Sequence, residues 1–279
     1  MVANLIGYPL EFHYRYFNLK PENDEDINLL FHSPPPTGVA QPVYICSNET
    51  ETMRDTEEFY DRYWEYRKDT GYLSTDETPD RISAANAIIR NFNPESVLDI
   101  GCGEGELGRL LTGCDIYTYG IDISSEALEI AEENYDEVHR LNIEQDSLSK
   151  FFSNQSFECV VCLETLEHLF HPKKALENIL DVLKNDGIVI TSFPNSVYWK
   201  HRLDIVFGRK PQSYTLYDDA EHIQDFTVGS FKDMLYDVGL EPINTIPHTY
   251  QSIPNQIVRL KPSLLAAQVT IVSRISSDS

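Results

Sequence analysis

The 279 residues of the chain include 45 acidic and 22 basic side chains, which gives a formal net charge of −23 at pH 7. Such an acidic surface repels phosphate backbones. We therefore expect neither a nucleic-acid partner nor a polyanionic substrate. No apolar stretch approaches the roughly 20 residues of a membrane-spanning helix, and the N-terminus lacks the pattern of a signal peptide. We therefore expect a cytoplasmic globular protein with no membrane partner.

Two regions are expected along the chain. Residues 1–50 show neither periodicity nor an internal repeat, and we expect an N-terminal extension there, either a small accessory layer or an arm. The remainder, 51–279, is expected to form one domain. It begins with an aromatic, amphipathic helix from Thr52 to Asp69, which either packs on the core or forms a lid over the substrate. A second helix is expected to begin at Thr78-Pro79.

From Pro94 onward, short apolar segments alternate with amphipathic ones. The apolar segments are expected to be strands at 96–100, 116–123, 137–143, 158–163 and 187–193, with two closing strands at 240–246 and 268–275. The intervening segments are expected to be helices at 105–111, 124–135, 172–183 and 231–238. This alternation indicates an α/β fold with a mostly parallel sheet, whose ligands bind beyond the carboxyl ends of the strands.

A glycine-rich turn, Asp-Ile-Gly-Cys-Gly-Glu-Gly, follows the first strand at 99–105. Glycines let the backbone approach a ligand closely, and Asp122, at the end of the second strand, can accept hydrogen bonds from ribose hydroxyls. Gly103-x-Gly105-x-x-Gly108 formally matches a dinucleotide fingerprint. However, Asp99 and the glutamates of the turn would repel a pyrophosphate and attract a cationic sulfonium. The acidic turn therefore favours S-adenosylmethionine over NAD.

Four motifs in chain order, VLDIGCGEGELGRLL, GIDIS, FECVVCLETLEHLFHP and LKNDGIVITSFPN, resemble those of class I S-adenosylmethionine-dependent methyltransferases. The resemblance extends from Pro94 to Ile275. It implies the Rossmann-like fold of that class, with a mostly parallel seven-stranded sheet and helices on both faces.

The resemblance also implies a set of cofactor-binding residues. They are Asp99, Gly101, Gly103 and Gly105 at the methionine part, Asp122 with Ile123 at the ribose, Asn142 with Ile143 at the adenine, and Leu163 beside the cofactor. Asn142 stands where the family usually has Asp, and its amide oxygen can still accept a hydrogen bond from the adenine amine.

Glu164, Glu167 and His168 have the spacing of one face of a helical turn after the fourth strand. Two carboxylates and an imidazole suit Mg²⁺ or Mn²⁺ better than a structural zinc. The pattern resembles those of ubiquinone-biosynthesis O-methyltransferases (UbiG type) and of 2′-O-methyltransferases that modify small-RNA 3′ ends. In the latter, an H-x-x-x-F-[ST] segment completes the site, which implies His222 as the fourth ligand. Alternatively, these side chains cap a helix or face solvent without a metal.

The segment 196–221 is expected to be a substrate-facing insertion, and 187–227 resembles MetW-type proteins, which lack the E-x-x-E-H set. Our leading hypothesis is an S-adenosylmethionine-dependent O-methyltransferase, assisted by Mg²⁺ or Mn²⁺, whose acceptor is a small molecule such as a vicinal diol, a catechol or a sugar. The alternatives are a metal-free N- or O-methyltransferase, a MetW-like module that binds a partner enzyme without catalysis and, more remotely, an NAD-dependent dehydrogenase.

Overall fold

The computed structural model describes residues 56–65, 79–153, 155–209, 222–249 and 255–277. The predicted extension 1–50, both ends of the predicted helix 52–69, and residues 210–221 of the predicted insertion lie outside the described residues. Within the described ranges, no helix combines the length and apolar character needed to cross a membrane.

Seven strands form one sheet in the order β3-β2-β1-β4-β5-β7-β6. Their bounds are β1 Ser96–Ile100, β2 Tyr117–Asp122, β3 Glu137–Arg140, β4 Phe157–Leu163, β5 Leu183–Pro194, β6 Leu240–His248 and β7 Gln268–Ile275. Strands β1 to β5 pair in parallel, whereas β7 is antiparallel to both of its neighbours. The predicted mostly parallel sheet is confirmed, and its strand order reverses between β1 and β4, where such folds bind ligands.

Helices connect these strands. The first, α1, covers 56–65. The others are α2 Asp80–Phe92, α3 Glu106–Leu111, α4 Ser125–Ala131, α5 Leu148–Phe151, α6 Pro172–Leu180, α7 Trp199–Val206, α8 Val228–Asp237, α9 Asn255–Leu260 and α10 Pro262–Leu265. A single 3₁₀ turn, Leu166–His168, lies between β4 and α6.

Both faces of the sheet are covered, as neighbouring residues of β1 show. Leu98 is fully buried in the cluster that contains Phe231 of α8, whereas Val97 is fully buried in the cluster that contains Ile89 of α2. Because successive strand residues point to opposite faces, a strand buried on both sides must be apolar at consecutive positions. The predicted helices on both faces are therefore confirmed.

Candidate cofactor and cation site

The turn after β1 brings its glycines against the ends of two neighbouring strands. Gly101, Gly103 and Gly105 have φ angles of 70°, 53° and 84°, in the left-handed region. A Cβ atom at Gly101 would lie 2.3 Å from Oγ1 of Thr165, which follows β4. The turn is thus packed so closely that only glycine fits at this position.

Asp99, the predicted partner of the methionine part, is buried at the end of β1. The Tyr135 hydroxyl donates a hydrogen bond to Asp99 Oδ2 at 2.5 Å and accepts one from the Gly108 N–H at 3.2 Å. Burial raises the pKa of Asp99 to about 7, although the bond from Tyr135 opposes this shift. The sequence did not predict that Tyr135 contacts Asp99. In the sequence, Tyr135 is simply the aromatic residue at the end of the predicted helix 124–135.

Asp122 joins the end of β2 to the glycine turn. Its carboxylate accepts hydrogen bonds from the Gly103 N–H and the Ser124 N–H, each at 2.9 Å. Burial raises the pKa of Asp122, and these backbone donors oppose the shift. Since each carboxylate oxygen can accept more than one bond, the group retains acceptor capacity for ribose hydroxyls. The neighbouring Ile123 carbonyl accepts a bond from Arg140 Nε at 2.8 Å.

The remaining predicted cofactor residues lie at the carboxyl ends of β3 and β4. The Asn142 side-chain oxygen accepts a hydrogen bond from the Glu144 N–H at 3.0 Å, which fixes the turn that follows β3. Ile143 is buried beside it. Leu163 is the last residue of β4, and its carbonyl accepts a bond from Thr165 Oγ1 at 3.0 Å.

Three of the four predicted metal ligands come together. Within the described part of the chain, one ligand atom from each of Glu167, His168 and His222 lies within 4.8 Å of the other two. Backbone bonds explain why residues so far apart in sequence meet, since the Glu167 carbonyl accepts bonds from the N–H groups of Ile223 and Gln224 at 2.8 and 2.9 Å. These bonds hold His222 beside the 3₁₀ turn.

The Glu167 side chain is the unusual member of this cluster. It is fully buried, and no other residue in the described part of the chain forms a hydrogen bond with either carboxylate oxygen. Burial and the nearby Glu164 raise the pKa of Glu167 well above its ordinary value. Keeping such a carboxylate ionised costs several kcal/mol unless a cation compensates its charge. A divalent cation bound by this carboxylate and two imidazoles would remove that cost. With two imidazoles the set suits Mn²⁺ better than Mg²⁺, which prefers oxygen ligands and would need the adjacent Glu164 carboxylate as well.

The prediction that Glu164 lies in a helical turn with Glu167 and His168 is wrong. Glu164 has φ 49°, and the 3₁₀ turn starts only at Leu166. Its carboxylate accepts hydrogen bonds from Ser192 Oγ at 3.0 Å and Gln268 Nε2 at 2.9 Å, and it is not part of the cluster of three ligand atoms. Ser192 and Gln268 were missed because only the fold brings them to Glu164.

Residues 63–245 match the family described as "Methyltransferase domain". The chain belongs to this family. It is 29% identical to the ubiquinone biosynthesis O-methyltransferase of Glaesserella parasuis over 136 residues, which cover 46% of this chain and 57% of that protein. It is 31% identical to the enzyme of that name from Actinobacillus pleuropneumoniae over 120 residues, covering 40% and 51%. The chain thus spans about half the length of the curated relatives it matches.

Solved methyltransferases share the fold. The structure of magnesium protoporphyrin IX methyltransferase (ChlM) from Synechocystis, with bound S-adenosylhomocysteine, superposes with a TM-score of 0.58 at 14% identity, over 81% of this chain and all of that one. Small RNA methyltransferase HEN1 superposes with a TM-score of 0.53 at 19% identity, over 71% of this chain and 25% of that one. The predicted class I S-adenosylmethionine-dependent methyltransferase fold is confirmed.

Proposed function

We propose that this methyltransferase-family protein transfers the methyl group of S-adenosylmethionine to a hydroxyl oxygen of a small molecule. The family match and the names of the curated relatives support O-methyl transfer. The observation that carries the proposal is the buried Glu167 carboxylate beside two imidazoles, which forms no hydrogen bond with another described residue. Such a cluster suits a cation that binds neighbouring oxygen atoms of an acceptor.

The cofactor occupies the carboxyl ends of β1, β2 and β3 in this proposal. The glycines at 101, 103 and 105, with Asp99, hold the methionine part, and Asp122 with Ile123 holds the ribose. Asn142 and Ile143 border the adenine, and Leu163 lies beside the cofactor. The buried carboxylates near the turn complement the positive sulfonium, and this complementarity supports S-adenosylmethionine rather than a pyrophosphate-containing cofactor.

Glu167, His168 and His222 would hold Mg²⁺ or Mn²⁺, with Glu164 as the adjacent second carboxylate. When bound, such a cation lowers the pKa of an acceptor hydroxyl. A pair of neighbouring hydroxyls could reach it together, so the acceptor classes we propose are vicinal diols, catechols and sugars.

The protein's own contribution to the transfer is orientation and exclusion of water. The acceptor oxygen attacks the methyl carbon as the carbon–sulfur bond breaks, and the sulfur leaves as the neutral thioether of S-adenosylhomocysteine. The proton of the acceptor hydroxyl is released to solvent. The glycine turn and the Glu167 cluster follow β1 and β4, which are adjacent strands, so the methyl donor and the acceptor lie side by side at one edge of the sheet.

The test is a Mn²⁺ titration of metal-stripped protein saturated with S-adenosylhomocysteine, followed by the paramagnetic resonance of free Mn²⁺. We expect one site, which Glu167→Gln and His222→Ala each weaken by more than the roughly 10- to 100-fold that loss of an outer-shell partner costs. His139→Ala is the matched control, because His139 lies on β3 and pairs with Glu137. Its affinity should equal that of the wild type.

A second arm measures release of S-adenosylhomocysteine from S-adenosylmethionine over a panel of catechols, sugars and vicinal diols. Turnover that requires Mn²⁺ or Mg²⁺ supports the proposal. Turnover without any cation effect, and no Mn²⁺ binding, would identify a metal-free N- or O-methyltransferase. Cofactor binding without turnover over the whole panel would instead favour a MetW-like module.

A further inference from the structure

Helix α1 contacts three parts of the candidate site at once. Trp64 lies over the glycine turn, Asp61 binds the start of α4, and the Tyr60 ring lies 6.3 Å from the His168 ring, nearly perpendicular to it. These contacts reach the ends of β1, β2 and β4, which are the strands that carry the predicted cofactor and cation residues.

The indole ring of Trp64 packs against Gly103. A Cβ atom at Gly103 would lie 3.0 Å from two atoms of the indole ring, which is tighter than ordinary van der Waals contact. Gly103 has φ 53° and belongs to the turn that the proposed function assigns to the methionine part of the cofactor. The indole ring therefore fills the space into which a side chain at position 103 would project.

The helix is held in this position at the ribose end of the site. Asp61 accepts hydrogen bonds from Ser124 Oγ and the Ser125 N–H, each at 2.8 Å. Arg140 pairs with Glu57 at 3.1 Å and with Asp61 at 3.6 Å. Because charge-assisted bonds to a backbone N–H are stronger than neutral ones, Asp61 is the principal anchor of α1.

The face of α1 that covers the site is aromatic. Phe59, Tyr60, Tyr63 and Trp64 form a chain of perpendicular ring contacts, with centroids 5.3, 6.5 and 5.4 Å apart in that order. Within this chain of rings, Tyr60 is the member whose ring also contacts His168. A neutral aromatic cover excludes water, and ring faces attract cations such as a sulfonium.

We propose that helix α1 is the cover of the cofactor site and that Trp64 contacts the bound cofactor directly. The inference rests on the S-adenosylmethionine binding of the proposed function. It adds Trp64 to the cofactor-binding residues and gives the aromatic helix a role that the sequence pattern left open between core packing and a lid.

The experiment uses the full chain with 5-fluorotryptophan in place of its two tryptophans. Fluorine NMR then gives one resonance for each of Trp64 and Trp199, and Trp64→Phe assigns them. During titration with S-adenosylhomocysteine, we expect the Trp64 resonance to shift and to saturate at the concentration at which calorimetry shows the site is filled. Calorimetric binding without a shift of the Trp64 resonance overturns the inference while leaving the proposed function intact.

Substitutions give an independent readout. We expect Trp64→Ala to weaken the binding of S-adenosylhomocysteine about tenfold or more, as loss of an aromatic residue at a binding interface does, and Trp64→Phe to weaken it less. Asp61→Asn, which removes the anchoring charge, should also weaken it. Glu58→Gln is the matched control, since Glu58 is exposed on the same helix and pairs with Arg62, and its affinity should be that of the wild type.

The outcomes separate the two proposals. Wild-type affinity in Trp64→Ala would overturn the inference alone. No calorimetric binding of S-adenosylhomocysteine to the wild type would overturn both the inference and the proposed function.

Discussion

Asp99 is a buried carboxyl group that accepts a hydrogen bond from Tyr135, and its burial makes the stability of the protein sensitive to pH. Burial raises its pKa in the folded chain to about 7, from an ordinary value of 3.8. Between these values the folded state binds a proton that the unfolded state has released. The free energy of unfolding therefore falls as the pH rises through this window.

We expect Asp99→Asn to remove this dependence, because the amide keeps an acceptor oxygen for Tyr135 and does not ionise. Between pH 5 and 8, the wild type should lose about 2–3 kcal/mol of unfolding free energy relative to the variant. Urea denaturation of both proteins at several pH values measures this difference. Asp186→Asn, at an exposed position within β5, serves as the control. Parallel pH profiles for the wild type and Asp99→Asn would contradict the prediction.

At the scale of elements, the start of α8 fixes the C-terminal end of the segment 222–227, which carries His222. Thr227 Oγ1 accepts a bond from the Ser230 N–H, and Ser230 Oγ accepts one from the Thr227 N–H, both at 3.0 Å, which makes a reciprocal capping box. Phe231 in the first turn stacks on Phe193 of β5 with ring centroids 4.0 Å apart. The cap and this stack together fix the segment 222–227 against the sheet.

Thr227→Ala should therefore cost about 1 kcal/mol of unfolding free energy, the usual loss for a capping side chain. It should also weaken Mn²⁺ binding if the cap positions His222. Thermal unfolding and the Mn²⁺ titration measure the two effects separately. Thr112→Ala is a comparison, because the Thr112 hydroxyl bonds a backbone carbonyl of α3, far from His222 in the sequence. A Thr227→Ala protein as stable as the wild type would show that the cap contributes nothing.

Helices and strands could be predicted where neighbouring residues in the sequence determine the backbone conformation. Strand β1 has the predicted bounds, since an apolar run between Pro94 and a glycine turn leaves few other conformations. The turn after β4 was not predictable, because the E-x-x-E-H spacing alone indicates a helix. In the structure, the Glu164 N–H donates to the carbonyl and hydroxyl oxygens of Ser192, which keeps Glu164 at the edge of the sheet. Its hydrogen bond to Gln268 joins residues 104 positions apart, so the sequence around Glu164 gives no indication of it.

At the scale of the whole molecule, the net charge of −23 favours a small neutral acceptor over RNA, although the proposed site chemistry would admit both. The ribose at a small-RNA 3′ end also carries neighbouring hydroxyls, so it could approach a cluster such as Glu167, His168 and His222. However, RNA binding draws most of its free energy from contacts between basic side chains and phosphates. With 45 acidic against 22 basic residues, the chain repels a polyanion at the distances over which charges interact in solution.

We therefore expect no saturable binding of a fluorescently labelled small RNA at about 0.15 M salt, measured by anisotropy. We also expect no methyl transfer to its 3′ end in the presence of S-adenosylmethionine and Mn²⁺. Lower salt should not rescue binding, because weaker screening strengthens the repulsion from an acidic protein. A neutral catechol or sugar meets no such repulsion, and its methylation should depend little on salt. A methylated RNA product, or RNA affinity that rises as salt is lowered, would mean that a local basic surface overrides the net charge and would replace the small-molecule acceptor with RNA.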